Sequence, residues 1–484
     1  MPAPDEDDPA IGSLPEPGDV IDGYRIEERI HSGGMGVIYR VSAESAPDPG
    51  FPMIMKCPRL GPGEPASSVI TYEVEQMVLA ALEGGHVPRF VAAGDLARHA
   101  YIVMEYVQGR SLSEWTQGGP QPLEEVVRLG TALSAAIHAL HRDDAIHLDI
   151  KPSNVMIRPN GEAVLIDLGL AHHGHYPDLL AEEIRHAVGS APYISPEQIL
   201  GVRSNPRSDV FALGAVLYEL ATGRLPFGSP TSRAGLRKRL YRDPIPPRAI
   251  VPAVPPWLQE IILHCLEPDT EKRYASAAQV GFDLAHGDQV ALTDRALRLR
   301  RVAGLRALLR WIAAAGFEPP NYPSGKPSAQ LSGAAIIMAA VATAHGNEAQ
   351  FEAQRLAVRR LMCLDDHMRL ACVTAIKPSP ELGNTAEDAA TSQRIKHVIL
   401  LRHWAEALDL PPSRISFHAI ESNDPAAALL EYARANHVDH IVIGGPPPGL
   451  PLKGLLGTVS TKVAVEAPCT VTVVRARTDG RIAQ

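Results

Sequence analysis

The sequence predicts two folded domains of different class in one chain. The first is an α+β domain in which a small strand-rich lobe precedes a larger helical lobe. The second is an α/β domain on a parallel sheet. Three observations carry this. The 484 residues exceed what one domain usually holds. Between Tyr24 and about Gly287, β-type runs come first and helical patterns later. From Leu331 onward, short apolar strands alternate with amphipathic helices, as right-handed βαβ crossovers require.

Taken in order, residues 1–22 (MPAPDEDDPA at the start) are expected to be a disordered acidic tail, rich in proline, glycine and carboxylates. The first domain is expected over 23–288, with helical patterns at Val69–Leu82, Leu123–Arg142 and Asp209–Thr222. Residues 289–330 read as a basic helix and a linker. Val302, Leu305, Leu309 and Ile312 recur at helical spacing among Arg298, Arg301, Arg306 and Arg310, and EPPNYPSGKPS follows. An arginine-rich helix over Arg295–Arg310 could touch an anionic membrane surface, but packing between domains is the plainer reading. The second domain is expected over 331–477, with strands at Ile336–Val341, Arg369–Ile376, Ile415–Ile420, His440–Gly444 and Cys469–Val474, and 478–484 is a tail. No internal repeat is visible.

Composition removes several function classes. With 45% hydrophobic and 21% charged residues there is material for proper cores, so wholesale disorder is excluded. A net charge of −9 argues against a nucleic-acid partner held by a basic surface. Cys57, Cys265, Cys363, Cys372 and Cys469 show no CxxC spacing, which fits a reducing cytosol and neither a disulfide framework nor a cysteine zinc site. There is no basic and apolar leader, and no apolar run reaches the roughly 18 to 20 residues of a spanning helix. The expectation is a soluble cytoplasmic protein without a membrane partner. His172-His173-Gly174-His175 could suggest a metal site, but without carboxylate or cysteine partners at fixed spacing it reads as a solvated loop.

Chemistry is concentrated in an ordered set of motifs. Ile30-His31-Ser32-Gly33-Gly34-Met35-Gly36-Val37-Ile38 is a glycine-rich turn whose N–H groups can approach phosphates with no Cβ between. Lys56 ends a strand-like run, and Glu75 lies on the next helix. His147-Leu148-Asp149-Ile150-Lys151-Pro152-Ser153-Asn154 follows a long helix, and Asp167-Leu168-Gly169 comes after one more apolar run. This set resembles the protein kinase family, most closely the bacterial Ser/Thr kinases of eukaryotic-like (Hanks) type, over Tyr24 to about Gly287. It extends to Ser195-Pro196-Glu197, Ser208-Asp209-Val210 and Arg273.

The resemblance implies roles for these residues. Lys56 would neutralise the ATP phosphates and be held by Glu75. Asn154 and Asp167 would ligate Mg²⁺. Asp149 would orient the acceptor hydroxyl and accept its proton, and Lys151 would stabilise the transferring phosphoryl group. Gly33, Gly34, Gly36 and Ile38 would cover the nucleotide, with Ile54 against adenine, Met104 at the back of the pocket and Glu105 to Val107 as the hinge. Glu197 and Arg273 would pair, and Asp209 would brace the catalytic loop. Ser190 would touch the catalytic aspartate and lysine rather than serve as a phosphosite.

Three positions depart from the family pattern: His31 for the first glycine, Ile54 for the small residue before the lysine, and Leu148 for the arginine before the catalytic aspartate. That arginine usually pairs with a phosphorylated loop residue. Leu170–Gly189 contains no Ser or Thr, only Tyr176, so the loop is not expected to be switched on by autophosphorylation.

The last third of the chain carries His440-Ile441-Val442-Ile443-Gly444, Leu455-Leu456-Gly457-Thr458-Val459 and Ala467-Pro468-Cys469-Thr470-Val471. Leu331–Arg477 thus resembles the universal stress protein family, which implies an α/β fold with a five-stranded parallel sheet and its ligand loop after strand four. Gly444, Gly457 and Thr458 match the ATP-binding members. The middle glycine falls at Pro447, which offers no N–H, and the first-strand aspartate aligns with Ala342. The alternative is a sensing or dimerisation module, pairing through Cys469–Val474 as members of that family commonly do.

The expected function is a Ser/Thr protein kinase, using ATP and Mg²⁺ on protein substrates, regulated by a stress-protein-like domain that could form a homodimer. The rival is a pseudokinase-like scaffold that binds nucleotide and dimerises through the C-terminal domain. Thr458 and Ser460 are among the hydroxyls there that its own kinase could modify.

Overall fold

A computed structural model describes residues 14–33, 36–59, 66–95, 99–180, 189–301, 326–331, 335–344, 347–378, 384–445 and 459–476. Gly34, most of the expected acidic tail, residues 302–310 of the expected basic helix, the proline-rich linker up to Gly325, Pro447, Gly457 and Thr458 lie outside them. The chain forms two compact units. One holds the residues up to Val280 with Thr293–Ser328, and the other holds Gly281–Leu292 with the residues from Ala329 onward.

In the first unit six described strands form a sheet: β1 (Val20–Ile21), β2 (Tyr24–Gly33), β3 (Gly36–Ala43), β4 (Met53–Cys57), β5 (Phe90–Ala93) and β6 (Ile102–Glu105). Their order is β1-β2-β3-β4-β6-β5, every pairing antiparallel. Side chains alternate across a pleated strand, and β4 uses this to face two ways. Met53, Met55 and Cys57 join Ile26, Tyr39 and Val103 in the lobe's core, while Ile54 and Lys56 lie on the other face. Helix Ala66–Ala81 carries Glu75.

The larger lobe is helical. Helix Leu123–Arg142 buries Val126, Leu129, Leu133, Ile137 and Leu140 at helical spacing, with Glu124 and Glu125 in its first turn, where the helix dipole favours acids. Helix Arg207–Thr222 is buried nearly all round and stops at Gly223, whose φ of 65° is the left-handed C-terminal cap. Short strands β7 (Arg110–Ser111), β8 (Ala145–Ile146), β9 (Val155–Ile157), β10 (Ala163–Leu165) and β11 (His172–His173) frame the loops between them.

Two expectations are corrected here. His172 and His173 are not a solvated loop: they pair with Ile146 and Ala145 of β8, His173 is buried, and His175 sits 2.8 Å from Asp144. Among the described residues no group of three or more His, Cys, Asp and Glu is placed to hold a metal ion. The basic helix does not run on from Arg295. A short helix ends at Leu297, and Arg298 is extended. Arg295 instead bonds Glu260 at 2.8 Å and Glu267 at 3.0 Å, which accounts for its charge without an anionic membrane surface.

In the second unit the described strands β12 (Ile336–Ala340), β13 (Arg369–Ile376), β14 (Ile415–Glu421), β15 (His440–Gly444) and β16 (Thr470–Val474) form a parallel sheet in the order β14-β13-β12-β15-β16. Every residue of the central β12 is buried, as a strand covered on both faces must be. Val358 and Met362 of helix Glu348–Met362 and Leu401 and Trp404 of helix Asn384–Glu406 pack on Ile337, Leu370 and Cys372. The segment Gly281–Leu292 is built into this unit. The Gln289 carboxamide exchanges hydrogen bonds of 2.8 and 2.6 Å with the backbone of Phe417, and Arg369 pairs with Asp283 at 2.5 Å. Among the described residues no helix is long and apolar enough to cross a membrane.

Candidate active site

The strand-rich lobe supplies a cation and one carboxylate, Glu75, and the helical lobe supplies Asp167 and Asp149. Lys56 on β4 donates to Glu75 at 2.6 Å and to Asp167 at 3.0 Å. Burial would discharge the ammonium, but Glu75 and Asp167 override it and raise its pKa. Asp167 responds in kind: burial pushes its carboxyl up, the Lys56 charge outweighs that, and the net direction is down. A charged lysine facing an ionised Asp167 is therefore the state in which the cluster rests.

Asp149, Lys151 and Asn154 converge on one carboxylate. Asp149 Oδ2 accepts from Lys151 Nζ at 2.7 Å and from Asn154 Nδ2 at 3.1 Å, and Oδ1 accepts from the Ser190 backbone N–H at 2.7 Å. Ser190 thus reaches the aspartate through its main chain. The loop has positive φ at the non-glycine residue Leu148, 63°, a conformation that persists only where the surroundings enforce it, and Asp167 after β10 has a φ of 66°. Those surroundings are identifiable. Asp209 accepts from the N–H groups of His147 and Leu148 at 2.8 and 2.9 Å and lies 2.9 Å from His141 Nε2. Gln198 Nε2 donates to the Leu148 carbonyl at 2.7 Å.

Gln198 and His141 were not singled out from sequence. Gln198 had a legible signal: Ser195-Pro196-Glu197-Gln198 is a capping box, in which Ser195 Oγ accepts from the Gln198 N–H and Gln198 Oε1 from the Ser195 N–H. His141 is brought to Asp209 from 68 residues away in sequence, and no local pattern marks it. The expected Glu197–Arg273 pair is present, bidentate at 2.6 and 2.7 Å.

A cavity of about 530 Å³ lies beside the Lys56–Asp167 cluster. Ile38, Ile54, Met104, Val107, Met156 and Ile166 line it together with Lys56, Glu75, Lys151, Asn154 and Asp167. Gly33, Gly36 and Glu105 also border it, and so does His31. The Glu105 carboxylate is committed to Arg158 at 2.6 Å and Arg89 at 3.2 Å, which hold it below its ordinary pKa although burial acts the other way. One end of the cavity is apolar. The other has a cation for phosphate oxygens and the oxygen donors of Asp167 and Asn154, which suit a hard divalent cation.

In the second unit, helix Glu348–Met362 caps the strand ends. Gln354 Nε2 donates to the carbonyls of Ala340 and Val442 at 2.9 and 3.0 Å, and Gln350 Nε2 to Val474 at 2.6 Å. Gly444 ends β15 and Ala342 follows β12.

Comparison with known proteins agrees in both parts of the chain. The protein kinase domain family matches residues 24–281, and the universal stress protein family matches residues 336–475. Serine/threonine-protein kinase PknL of Mycobacterium tuberculosis is 27% identical over 310 residues, covering 62% of this chain and 76% of that protein. Serine/threonine-protein kinase Pkn1 of Myxococcus xanthus is 37% identical over 219 residues, 43% of this chain and 30% of that protein. Serine/threonine-protein kinase pkn2 of the same organism is 32% identical over 274 residues, 55% and 32% respectively.

Proposed function

Because this chain belongs to the protein kinase family and carries a universal stress protein domain behind the kinase domain, we propose that it transfers the γ-phosphoryl group of MgATP to proteins under the control of that second domain. It is a protein serine/threonine kinase, so its acceptors are serine and threonine hydroxyls. The observation that supports the reading best is that Lys56, Glu75, Asp167, Lys151 and Asn154 line one cavity, with the Asp149 carboxylate bonded to the last two.

MgATP supplies the phosphoryl group and a divalent cation that offsets charge developing during transfer. The residues of this chain do the rest. Lys56, kept protonated by two carboxylates, binds phosphate oxygens. Asp167 and Asn154 provide oxygen ligands for the cation. Asp149, with Oδ1 held by the Ser190 N–H and Oδ2 by Lys151 and Asn154, is oriented to receive the hydroxyl proton as the acceptor oxygen bonds to phosphorus. Lys151 lies beside it as a second cation for the transferring group. The glycine turn and the apolar walls exclude water from the nucleotide.

Control is assigned to the C-terminal domain on two grounds. Leu148 replaces the usual phosphate-receiving arginine, and Leu170–Gly189 has no hydroxyl except that of Tyr176. Gly281–Leu292, directly after the kinase match, is bound into the second unit through Asp283–Arg369 and Gln289–Phe417. A homodimer paired through the outer strand β16, and residence in the cytoplasm, complete the reading.

The experiment is phosphate incorporation from labelled MgATP into the protein and into a basic protein acceptor. Wild type is compared with Asp149→Asn and Gln289→Ala. Loss of incorporation in Asp149→Asn and an altered rate in Gln289→Ala are expected. Wild type that binds nucleotide but transfers nothing would favour a signalling scaffold instead.

A further inference from the structure

Arg203 follows helix Pro196–Ile199 and belongs to none of the motifs above. Its Nε donates to both carboxylate oxygens of Asp178, at 3.0 and 2.8 Å. Its NH2 donates to the backbone carbonyls of Leu170 at 3.0 Å and Ala171 at 3.3 Å. One guanidinium therefore fastens the segment that follows Asp167-Leu168-Gly169 at its start and again eight residues on. The side chains are only 10% and 19% exposed, so water competes little for these bonds. The planar fork of arginine can span such a set, whereas an ammonium cannot.

The same segment is tied on its other side. Leu168 accepts a backbone bond from Ala171, and His172 pairs in β11 with Ile146 of β8, the strand that leads into His147-Leu148-Asp149. His172 Nδ1 also approaches the Asp178 carboxylate at 3.5 Å. Arg203 and His172 hold Asp178 well below its ordinary pKa, at about 2, although burial acts against them. The carboxylate is thus ionised at neutral pH. At the position from which a catalytic-loop arginine would reach a phosphorylated segment stands Leu148, itself buried.

We propose that Arg203 and Asp178 are positioning residues that hold the Asp167-Leu168-Gly169 exit in its working arrangement, with the Asp178 carboxylate serving where a phosphoryl group would otherwise be needed. This rests on the kinase reading and adds to it how the segment is ordered without modification. Asp167, a magnesium ligand in that reading, is three residues from the nearest carbonyl that Arg203 grips. Loosening the grip therefore acts first on the magnesium requirement.

The test uses the full chain as wild type, Arg203→Met, Arg203→Lys and Asp178→Asn, each checked for folding by thermal melting. Two quantities are read: kcat for transfer to a basic protein acceptor, and the Mg²⁺ concentration at half-maximal binding of a fluorescent ATP analogue. The expected result is a fall in kcat of about tenfold or more in Arg203→Met, with a several-fold rise in the Mg²⁺ midpoint. Arg203→Lys should fall between wild type and Arg203→Met, because it keeps the charge and loses the carbonyl contacts. Asp178→Asn should resemble Arg203→Met, and phosphatase treatment should leave the wild-type rate unchanged. An unchanged Mg²⁺ midpoint in both Arg203→Met and Asp178→Asn, even with a lower melting temperature, overturns the proposal by reducing the pair to a structural tie. So does phosphatase-sensitive wild-type activity traced to 170–189. Wild type that transfers no phosphoryl group while Arg203→Met still shifts the Mg²⁺ midpoint overturns the kinase reading and leaves the positioning role supported.

Discussion

Lys56 Nζ stands 2.6 Å from Glu75 Oε2, and the same ammonium reaches Asp167 Oδ1 at 3.0 Å. A single charge thereby joins β4, helix Ala66–Ala81 and the segment after β10. Glu75→Gln removes half of what holds Lys56 in place. It should lower kcat/KM by about 10- to 100-fold, with Lys56→Met more severe, because positioned cations act on charge that develops in the transition state. Steady-state kinetics against ATP measures this, and an unchanged kcat/KM in Glu75→Gln would show that Asp167 alone positions the lysine.

The Glu197–Arg273 pair is buried and bidentate, and Ser208 Oγ adds a bond to Glu197 at 2.8 Å. Removing one partner strands a charge in the core. Arg273→Met should destabilise the first unit by about 3 to 5 kcal/mol. Denaturant unfolding followed by a probe in the helical lobe reads the loss, and a change below about 1 kcal/mol would contradict it.

Gly36 opens β3 with φ of 142°, and a Cβ there would overlap the carbonyl oxygen of Cys57. Gly36→Ala should distort the turn where it covers the nucleotide cavity. ATP KM should rise several-fold, with a stability loss of roughly 1 to 3 kcal/mol from backbone strain. Equal ATP affinity in the variant would place the strain elsewhere.

His418 on β14 is buried beside His286 and Arg369, accepts from Gln289, and lies 2.9 Å from Ser416 Oγ. Burial first, then the nearby His286 and Arg369, lower its pKa to about 3. The native state thus resists a proton that the unfolded chain takes up near pH 6.5. Its stabilising contribution is full above that pH and is lost as pH falls toward about 3. The second unit should lose up to about 1.4 kcal/mol per pH unit below pH 6.5 from this group alone. Urea unfolding of wild type and His418→Gln at pH 7 and pH 5.5 tests the slope, which the substitution should flatten.

Much of this was legible along the chain because it is local. The period-2 run Met53–Cys57 separates core from cavity, the heptad-like spacing in Leu123–Arg142 marks one buried face, and the βα alternation after Leu331 requires a parallel sheet. Where the local reading went wrong, long-range partners were the cause. Arg295 meets carboxylates at Glu260 and Glu267, and the short helix that carries it ends at Leu297. The histidines at 172, 173 and 175 look solvent-seeking in sequence, yet β8 offers a strand edge and Asp144 an acceptor.

Residue identity and order along the chain were enough to name the chemical parts: an ammonium, a proton acceptor, two oxygen ligands and a glycine turn, with a leucine where an arginine is usual. They could not say how Leu148 and Asp167 are kept at positive φ, which side of Asp149 each donor takes, or that Arg203 grips Asp178 and two carbonyls at once. Those depend on groups as far as 62 residues apart meeting in a buried, low-dielectric space. Only there does a hydrogen bond or ion pair, weak when solvated, become strong enough to hold a strained backbone in place.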